Sequence, residues 1–336
     1  MRLAATFAAA AAITSAHVTS IQLPRNLSFY DVEPAGSGVL LSGETVIGAT
    51  CGFVRVGLAP LRITGRGLGS CVRSSAHRVT PVLVRRPGSF AVRVRIARVE
   101  AAGRVVEGPV VMRFQESVDT HLALAYGPRT LWLYEAGAAA GPEVLQVSAV
   151  TGRVEQTARV PRLVRPLLAA DDDGLWLAIP PNGTAPGTGA SPLYHVAPNA
   201  RTAVLVRRGG RAVLWLVAAG RSVWADVISK TLHGEIWRLD GAAGTAHALA
   251  SFPELGTWTA VPHGSTLWTL ADEPVDQRFQ ACDAEHVIRV DGATGRRSLV
   301  ASVPIRSRQC GTGTAATFAD GALEFVLGSR LYRVSA

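Results

Sequence analysis

The chain has 336 residues, of which 48% are hydrophobic, so its composition allows a large core and excludes intrinsic disorder. The formal net charge is +9, and arginine carries nearly all of the positive charge because Lys230 is the only lysine. The arginines are scattered and form no basic block with interleaved aromatic residues, which argues against nucleic-acid binding. A GC-rich genome or attraction to an anionic partner, such as a cell-wall polymer, explains this bias.

Residues 1–16 are typical of an export signal. Arg2 is followed by an uncharged, alanine-rich run and then by the small residues Thr14, Ser15 and Ala16, which suit a signal peptidase. The run is shorter than the roughly 20 apolar residues that span a bilayer, and no other stretch is predicted to be transmembrane. A short helix on the fold is the alternative. We therefore expect a secreted protein in an oxidising compartment, where cysteines can pair.

A strand motif with a central tryptophan recurs through the chain. Its copies read TLWLY, GLWLA, SVWAD and TLWTL, and their tryptophans are 44, 48 and 44 residues apart. These tryptophans are Trp132, Trp176, Trp224 and Trp268. Phe325 is predicted to take the same place in a fifth copy, ALEFV.

A second motif follows each copy of the first. It is a pair of alternating apolar stretches joined by a tight turn, and its turn residues are Gly103, Gly152, Asn199, Gly244 and Gly295, with a mean spacing of 48. Alternation with a period of two residues indicates antiparallel strands. A unit of about 48 residues holds four strands, which is one blade of a β-propeller.

We predict an all-β, seven-bladed β-propeller over residues 26–336, with four-stranded antiparallel blades and with six or eight blades as alternatives. The first six blades are expected to start near Gly38, Pro81, His121, Leu167, Ala212 and Trp258. The last copy, residues 314–334, has room for only three strands. The strand-like residues 27–32 are expected to supply the fourth strand and close the ring.

The four cysteines fall at matching places in this scheme. Cys51 is predicted to end the second strand of the first blade and Cys71 to lie in the connection to the next blade, while Cys282 and Cys310 lie in the corresponding loop and connection of the sixth blade. We therefore predict the disulfides Cys51–Cys71 and Cys282–Cys310. A zinc site is the alternative, but the sequence has no CxxC, so we expect no metal.

The tryptophan strand and the hairpin of residues 287–296, VIRVDGATGR, resemble the YVTN, NHL and streptogramin-lyase-like group of β-propellers. The resemblance covers the chain from about residue 122 onward and implies the blade rather than a particular chemistry. The group includes binding proteins and a lyase that uses a histidine with a magnesium-binding acidic residue. No position here matches those residues, so the resemblance implies no cofactor and no catalytic residue.

Long loops between the second and third strands are predicted at residues 135–143, 180–192, 226–235 and 271–285. These loops and the starts of the first strands emerge at the same end of a propeller, which we call the loop-bearing end, and long loops on one face often carry function. The candidate ligand-binding residues are His121, Arg165, His233, Trp258, Asp272, Glu273, Asp276, Arg278 and Glu285.

These features favour an exported, monomeric, non-catalytic propeller without a cofactor that binds an extracellular protein, peptide or glycan. The alternative is a lyase or hydrolase that uses the acidic loop of the sixth blade and a nearby histidine. A third reading is a wall-associated structural protein held by its positive charge. Residues 171–173, three aspartates before Gly174, suit a tight turn, with calcium binding as the alternative.

Overall fold

The computed structural model describes residues 16–45, 51–68, 79–85, 91–99, 105–115, 122–135, 141–163, 166–179, 191–208, 211–219, 221–228, 234–252, 256–274, 282–304 and 313–335. These residues form strands, turns and short connections. None of them belongs to a helix long and apolar enough to cross a bilayer.

The first strand, β1 (His17–Gln22), precedes four antiparallel sheets that follow one another along the chain. Sheet one contains β2 (Leu27–Ala35), β3 (Gly38–Thr45), β4 (Cys51–Leu58) and β5 (Leu61–Leu68). Sheet two contains β6 (Val79–Arg85), β7 (Ala91–Val99) and β8 (Val105–Gln115). Sheet three contains β9 (Ala123–Tyr126), β10 (Thr130–Glu135), β11 (Glu143–Ser148) and β12 (Val154–Arg159). Sheet four contains β13 (Leu167–Asp171), β14 (Gly174–Ala178), β15 (Leu193–Val196) and β16 (Val204–Arg207).

Three more sheets complete the described part of the fold. Sheet five contains β17 (Ala212–Ala219), β18 (Ser222–Ile228), β19 (Gly234–Asp240) and β20 (Thr245–Phe252). Sheet six contains β21 (Gly256–His263), β22 (Thr266–Pro274), β23 (Cys282–Asp291) and β24 (Arg297–Pro304). Sheet seven contains β25 (Gly313–Ala319), β26 (Ala322–Leu327) and β27 (Arg330–Ser335), and its fourth strand is β1.

The N-terminal segment enters this fold differently from the prediction. Residues 27–32 do not join the last sheet, because β2 is the first strand of sheet one and pairs with β3. It is β1 that pairs with β27 along its whole length, from His17 opposite Ser335 to Gln22 opposite Arg330. The first blade therefore starts at Leu27, and Gly38 begins its second strand. The reason is that β1 acquires its role from pairing with β27, which lies more than 300 residues away in the sequence.

The predicted turn residues adopt the backbone that the hairpins require. Gly152, Asn199, Gly244 and Gly295 all have positive φ angles, of 69°, 63°, 62° and 71°. At Gly295 a Cβ atom would lie 1.9 Å from the carbonyl oxygen of Leu249, so only glycine fits there. Gly103 lies outside the described residues.

Neighbouring sheets pack face to face through the tryptophans of their second strands. Trp132, Trp176, Trp224 and Trp268 are buried, and each lies in a hydrophobic cluster shared with the next sheet along the chain. Further clusters join sheet two to sheet three and sheet seven to sheet one. A single blade cannot bury both faces, so this stacking provides the core. Among the described clusters, none joins sheet one to sheet two.

Sheet seven departs from the repeat at the position predicted for Phe325. The register places Glu324, not Phe325, third in its strand, where β22 has Trp268. Glu324 lies opposite Arg333, just as Trp268 lies opposite Arg289. Phe325 consequently points to the other face and packs against sheet six. A shift of one residue along a strand reverses the face of the side chain, and the prediction overlooked that Phe325 is the fourth residue of ALEFV, whereas tryptophan is third in the other copies.

Candidate functional site

The structure describes only part of the predicted ligand site. His121, Arg165, His233, Asp276 and Arg278 lie outside the described residues. Trp258 lies in β21 and Glu273 in β22, near the loop-bearing end of sheet six, but their side chains are outside the described part of the structure. Asp272 and Glu285 are described in full.

Asp272 and Glu285 were predicted to lie in a solvated loop, and this placement is wrong. They belong to β22 and β23, lie directly opposite each other in the ladder, and are both completely buried. Burial, together with the hydrogen bond to Asp272 and its charge, raises the pKa of Glu285 to about 10. Glu285 therefore keeps its proton at neutral pH. Protonation of Glu285 avoids a negative charge at this buried position, which its sequence context did not reveal.

Sheet five contains another buried carboxyl group, at a position predicted to begin a loop. Asp226 lies within β18, is completely buried, and faces sheet six, where the Thr257 hydroxyl donates a hydrogen bond to it. Burial raises the pKa of Asp226 to about 7, although the hydrogen bonds from Thr257 and from the Val227 backbone oppose this shift. The available signal was an acidic residue in the middle of an apolar strand, VWADVI.

Glu324 in sheet seven is also a buried acidic residue. Its Oε1 lies 2.7 Å from Nη1 of Arg333, whose Nη2 also reaches the Asp320 backbone carbonyl at 3.0 Å. Burial raises the pKa of Glu324 to about 7, and the adjacent Arg333 moderates the rise. Glu324 and Asp226, like Asp272 and Glu285, thus sit between strands and sheets and not on an open surface.

The three aspartates at residues 171–173 form a turn at the opposite end of sheet four. Asp171 is buried, and its Oδ1 accepts a hydrogen bond of 2.9 Å from the backbone N–H of Asp173. The His195 ring lies 3.1 Å from the Asp173 carbonyl and 4.6 Å from the centre of the Trp176 ring. No group of three possible metal-binding side chains occurs among the described residues. Backbone turn chemistry accounts for these aspartates.

A half-exposed cluster of charged and aromatic side chains lies at the loop-bearing end, between sheets four and five. We call it the Trp237 cluster; it consists of Arg207, Arg211, Glu235 and Trp237. Arg207 ends β16, Arg211 directly precedes β17, and Glu235 and Trp237 lie in the first half of β19. These residues were not predicted from the sequence, because they come from two strands and the residue that precedes a third, and no motif links them.

Contacts within the Trp237 cluster pair one arginine with the Glu235 carboxylate and place the other over the Trp237 ring. Arg211 forms an ion pair with Glu235, which also accepts a hydrogen bond of 2.9 Å from the Trp237 indole N–H. The guanidinium carbon of Arg207 lies 3.9 Å from the centre of the Trp237 ring. Burial and the neighbouring charge of Arg211 lower the pKa of Arg207. In the described part of the chain, no ion pair involves Arg207.

The cysteines occupy equivalent positions in sheets one and six. Cys51 begins β4 and Cys282 begins β23, so each starts the third strand of its sheet instead of lying in the preceding strand or loop as predicted. Cys282 is fully buried and is not a free thiol. Cys71 and Cys310 lie outside the described residues, so the predicted pairing stays a prediction.

Comparison with known proteins identifies the architecture. Solved structures of similar fold include the WD40 repeats of RRP9 (TM-score 0.56, 10% identity, 95% of this chain and 97% of that one). They also include the β-propeller domain of the Trilobed protease from Pyrococcus furiosus (0.55, 11%, 92% and 92%). A third is an acylaminoacyl peptidase from Pyrococcus horikoshii (0.55, 10%, 91% and 50%).

These similarities show a β-propeller fold and, at such low identity, only the fold. This chain spans about half the length of the acylaminoacyl peptidase. No family model and no curated protein matches the chain, so membership of the YVTN, NHL and streptogramin-lyase-like group stays a prediction.

Proposed function

We propose that this chain is an exported, monomeric, non-catalytic β-propeller that binds a protein, peptide or glycan through its loop-bearing end. Seven blades would form a closed ring, with β1 completing the last blade and the disulfides Cys51–Cys71 and Cys282–Cys310 securing two of the blades. The pairing of β1 with β27 and the six hydrophobic clusters between sheets support the ring. A closed ring also requires contact between sheets one and two, and we propose that they are in contact.

The observation that carries the binding proposal is a contrast between two kinds of polar group. Asp226, Asp272 and Glu285 are completely buried, with Asp272 opposite Glu285 in the ladder and Asp226 accepting a hydrogen bond from Thr257. The Trp237 cluster instead combines arginine, glutamate and tryptophan at a partly open position of the loop-bearing end. Arginine and tryptophan are the side chains that most often dominate binding surfaces.

A binding screen with the full chain tests the proposal. We expect the protein to bind one class of ligand on an array of peptides and glycans, and we expect Trp237→Ala to weaken that binding. The control is Arg153→Gln, in the turn between β11 and β12 at the opposite end, which should bind normally. Binding that is lost in Arg153→Gln and kept in Trp237→Ala would place the ligand at the other end and refute the proposal.

The lyase or hydrolase alternative depends on a histidine meeting a carboxylate at the loop-bearing end. The two fully described acidic candidates, Asp272 and Glu285, are buried against each other, which favours binding over catalysis. Turnover of an array ligand, followed by chromatography of the released products, would favour the enzyme. We expect no turnover. If the protein remained on the cell wall in moderate salt, this result would count against a wall-associated structural protein held by its positive charge alone.

A further inference from the structure

We propose that Arg207 and Arg211 of the Trp237 cluster form a subsite for the carboxylate of an aspartate or glutamate side chain in an acidic peptide. This inference rests on the proposed function and specifies its ligand. The arrangement of charges is the starting point. Two guanidinium groups share one half-buried location with a single carboxylate, that of Glu235, so the cluster keeps a net positive charge.

The Trp237 ring prepares Arg207 for a ligand. Its centre lies 3.9 Å from the guanidinium carbon, so the flat guanidinium is held by cation–π attraction while its N–H donors remain directed around its edge. A carboxylate can accept two of these N–H groups side by side. Because the Arg207 side chain is already held in place before the ligand binds, less conformational entropy is lost on binding.

Glu235 fixes the second half of the subsite. It pairs with Arg211 and accepts the Trp237 indole N–H at 2.9 Å, so it holds both the second cation and the aromatic platform. Partial burial strengthens the attraction between an arginine and an incoming carboxylate, because water screens it less. The chain's net charge of +9 would also favour the approach of an acidic partner.

The same geometry favours a peptide over an acidic glycan. Sugar rings are commonly held on an open aromatic face, but Arg207 covers one face of Trp237 and the hydrophobic core between sheets four and five lies against the ring. An aspartate or glutamate carboxylate stands on a flexible stem and can reach a half-buried arginine. A uronate carboxylate is attached directly to a bulky ring and would need more room.

Fluorescence anisotropy of a labelled oligoglutamate peptide, measured with the full chain at low salt, tests this proposal. We expect Arg207→Gln to weaken binding about tenfold, as loss of a charge-assisted bidentate contact would. Arg207→Lys keeps the charge but loses the planar fork, and should also bind more weakly. The control is Arg208→Gln, which removes the same charge from the adjacent exposed residue and should change binding less than about twofold.

Thermal unfolding of each variant checks that the fold is intact. Equal weakening by Arg207→Gln and Arg208→Gln would show a general charge effect and overturn the subsite. Failure of oligoglutamate to bind the unaltered chain would overturn it too, as would binding of polygalacturonate, but not oligoglutamate, through Arg207. An array ligand held at the loop-bearing end regardless of Arg207 would overturn the subsite and leave the proposed function standing.

Discussion

Asp272 and Glu285 face each other across β22 and β23, both without any exposed surface, and burial keeps Glu285 protonated at neutral pH. This pair makes stability depend on pH in a defined direction. The unfolded Glu285 releases its proton at an ordinary pKa, whereas the folded one keeps it up to about pH 10. The contribution is therefore complete below the ordinary pKa and is lost progressively as pH rises from there to the pKa of the folded state.

We expect the free energy of unfolding to fall between about pH 8 and about pH 9.5, a window above the pKa of about 7 of Asp226 and Glu324. Glu285→Gln carries a neutral donor in the same place and should flatten this fall. Urea unfolding at several pH values measures it. The exposed Glu155→Gln is the control and should keep the slope of the unaltered chain. A slope unchanged in Glu285→Gln would refute the raised pKa of Glu285.

The hydrogen bond from Thr257 to Asp226 joins sheets five and six. Thr257→Val has nearly the same shape but leaves a fully buried carboxyl group without this donor, so we expect a loss of about 1–3 kcal/mol in the free energy of unfolding. Denaturant unfolding measures the loss. Thr259→Val, in the same strand and half-buried, should cost clearly less. Equal losses in the two variants would show that the hydrogen bond from Thr257 to Asp226 does not stabilise the fold.

The strand β1 should be needed to complete sheet seven. Beyond its ladder to β27, the backbone N–H of buried Leu23 donates to the Ser329 carbonyl at 2.9 Å, and the Gln22 side chain donates to the same carbonyl at 2.7 Å. A chain that begins after residue 22 should melt about 5 °C lower or more, as a loss of about 2 kcal/mol would give, and should aggregate through the bare edge of β27. A chain that begins at His17 is the control. Equal melting temperatures would refute the role of β1.

Proteolysis and mass mapping without reducing agent test the cysteine pairing. We expect peptides that join Cys51 to Cys71 and Cys282 to Cys310, because Cys51 and Cys282 start equivalent strands of sheets one and six. Each bond would close a loop of about 20 to 28 residues and contribute about 3 kcal/mol by restricting the unfolded chain. A bond between the two pairs would contradict the arrangement.

Glu235 should compete with an acidic ligand for Arg211. Glu235→Gln removes the internal carboxylate but keeps an oxygen that can accept the Trp237 N–H, so oligoglutamate should bind a few times more tightly. Glu143→Gln makes the same charge change at the corresponding end of sheet three and is the control. If both substitutions tightened binding equally, the effect would be one of net charge and not of the cluster.

Repetition in the sequence predicted most of the fold and little of the site. Sheets four, five and six begin within two residues of their predicted starts, at Leu167, Ala212 and Gly256, because alternation and positive-φ turn residues are local signals. The strand β1 was missed because its role depends on a partner more than 300 residues away. Asp272 and Glu285 were assigned to a loop because each looks solvated until the other is placed opposite it.

The sequence by itself determined that this protein is built from repeated antiparallel units, since hydrophobic alternation, tryptophan spacing and turn glycines act within a few residues of one another. Only the tertiary structure decided which acidic residues are buried, that Glu324 replaces a tryptophan, and that Arg207, Arg211, Glu235 and Trp237 meet. Those relationships join different strands and sheets, and the free energy of a buried charge depends on neighbours that the linear order of residues does not specify.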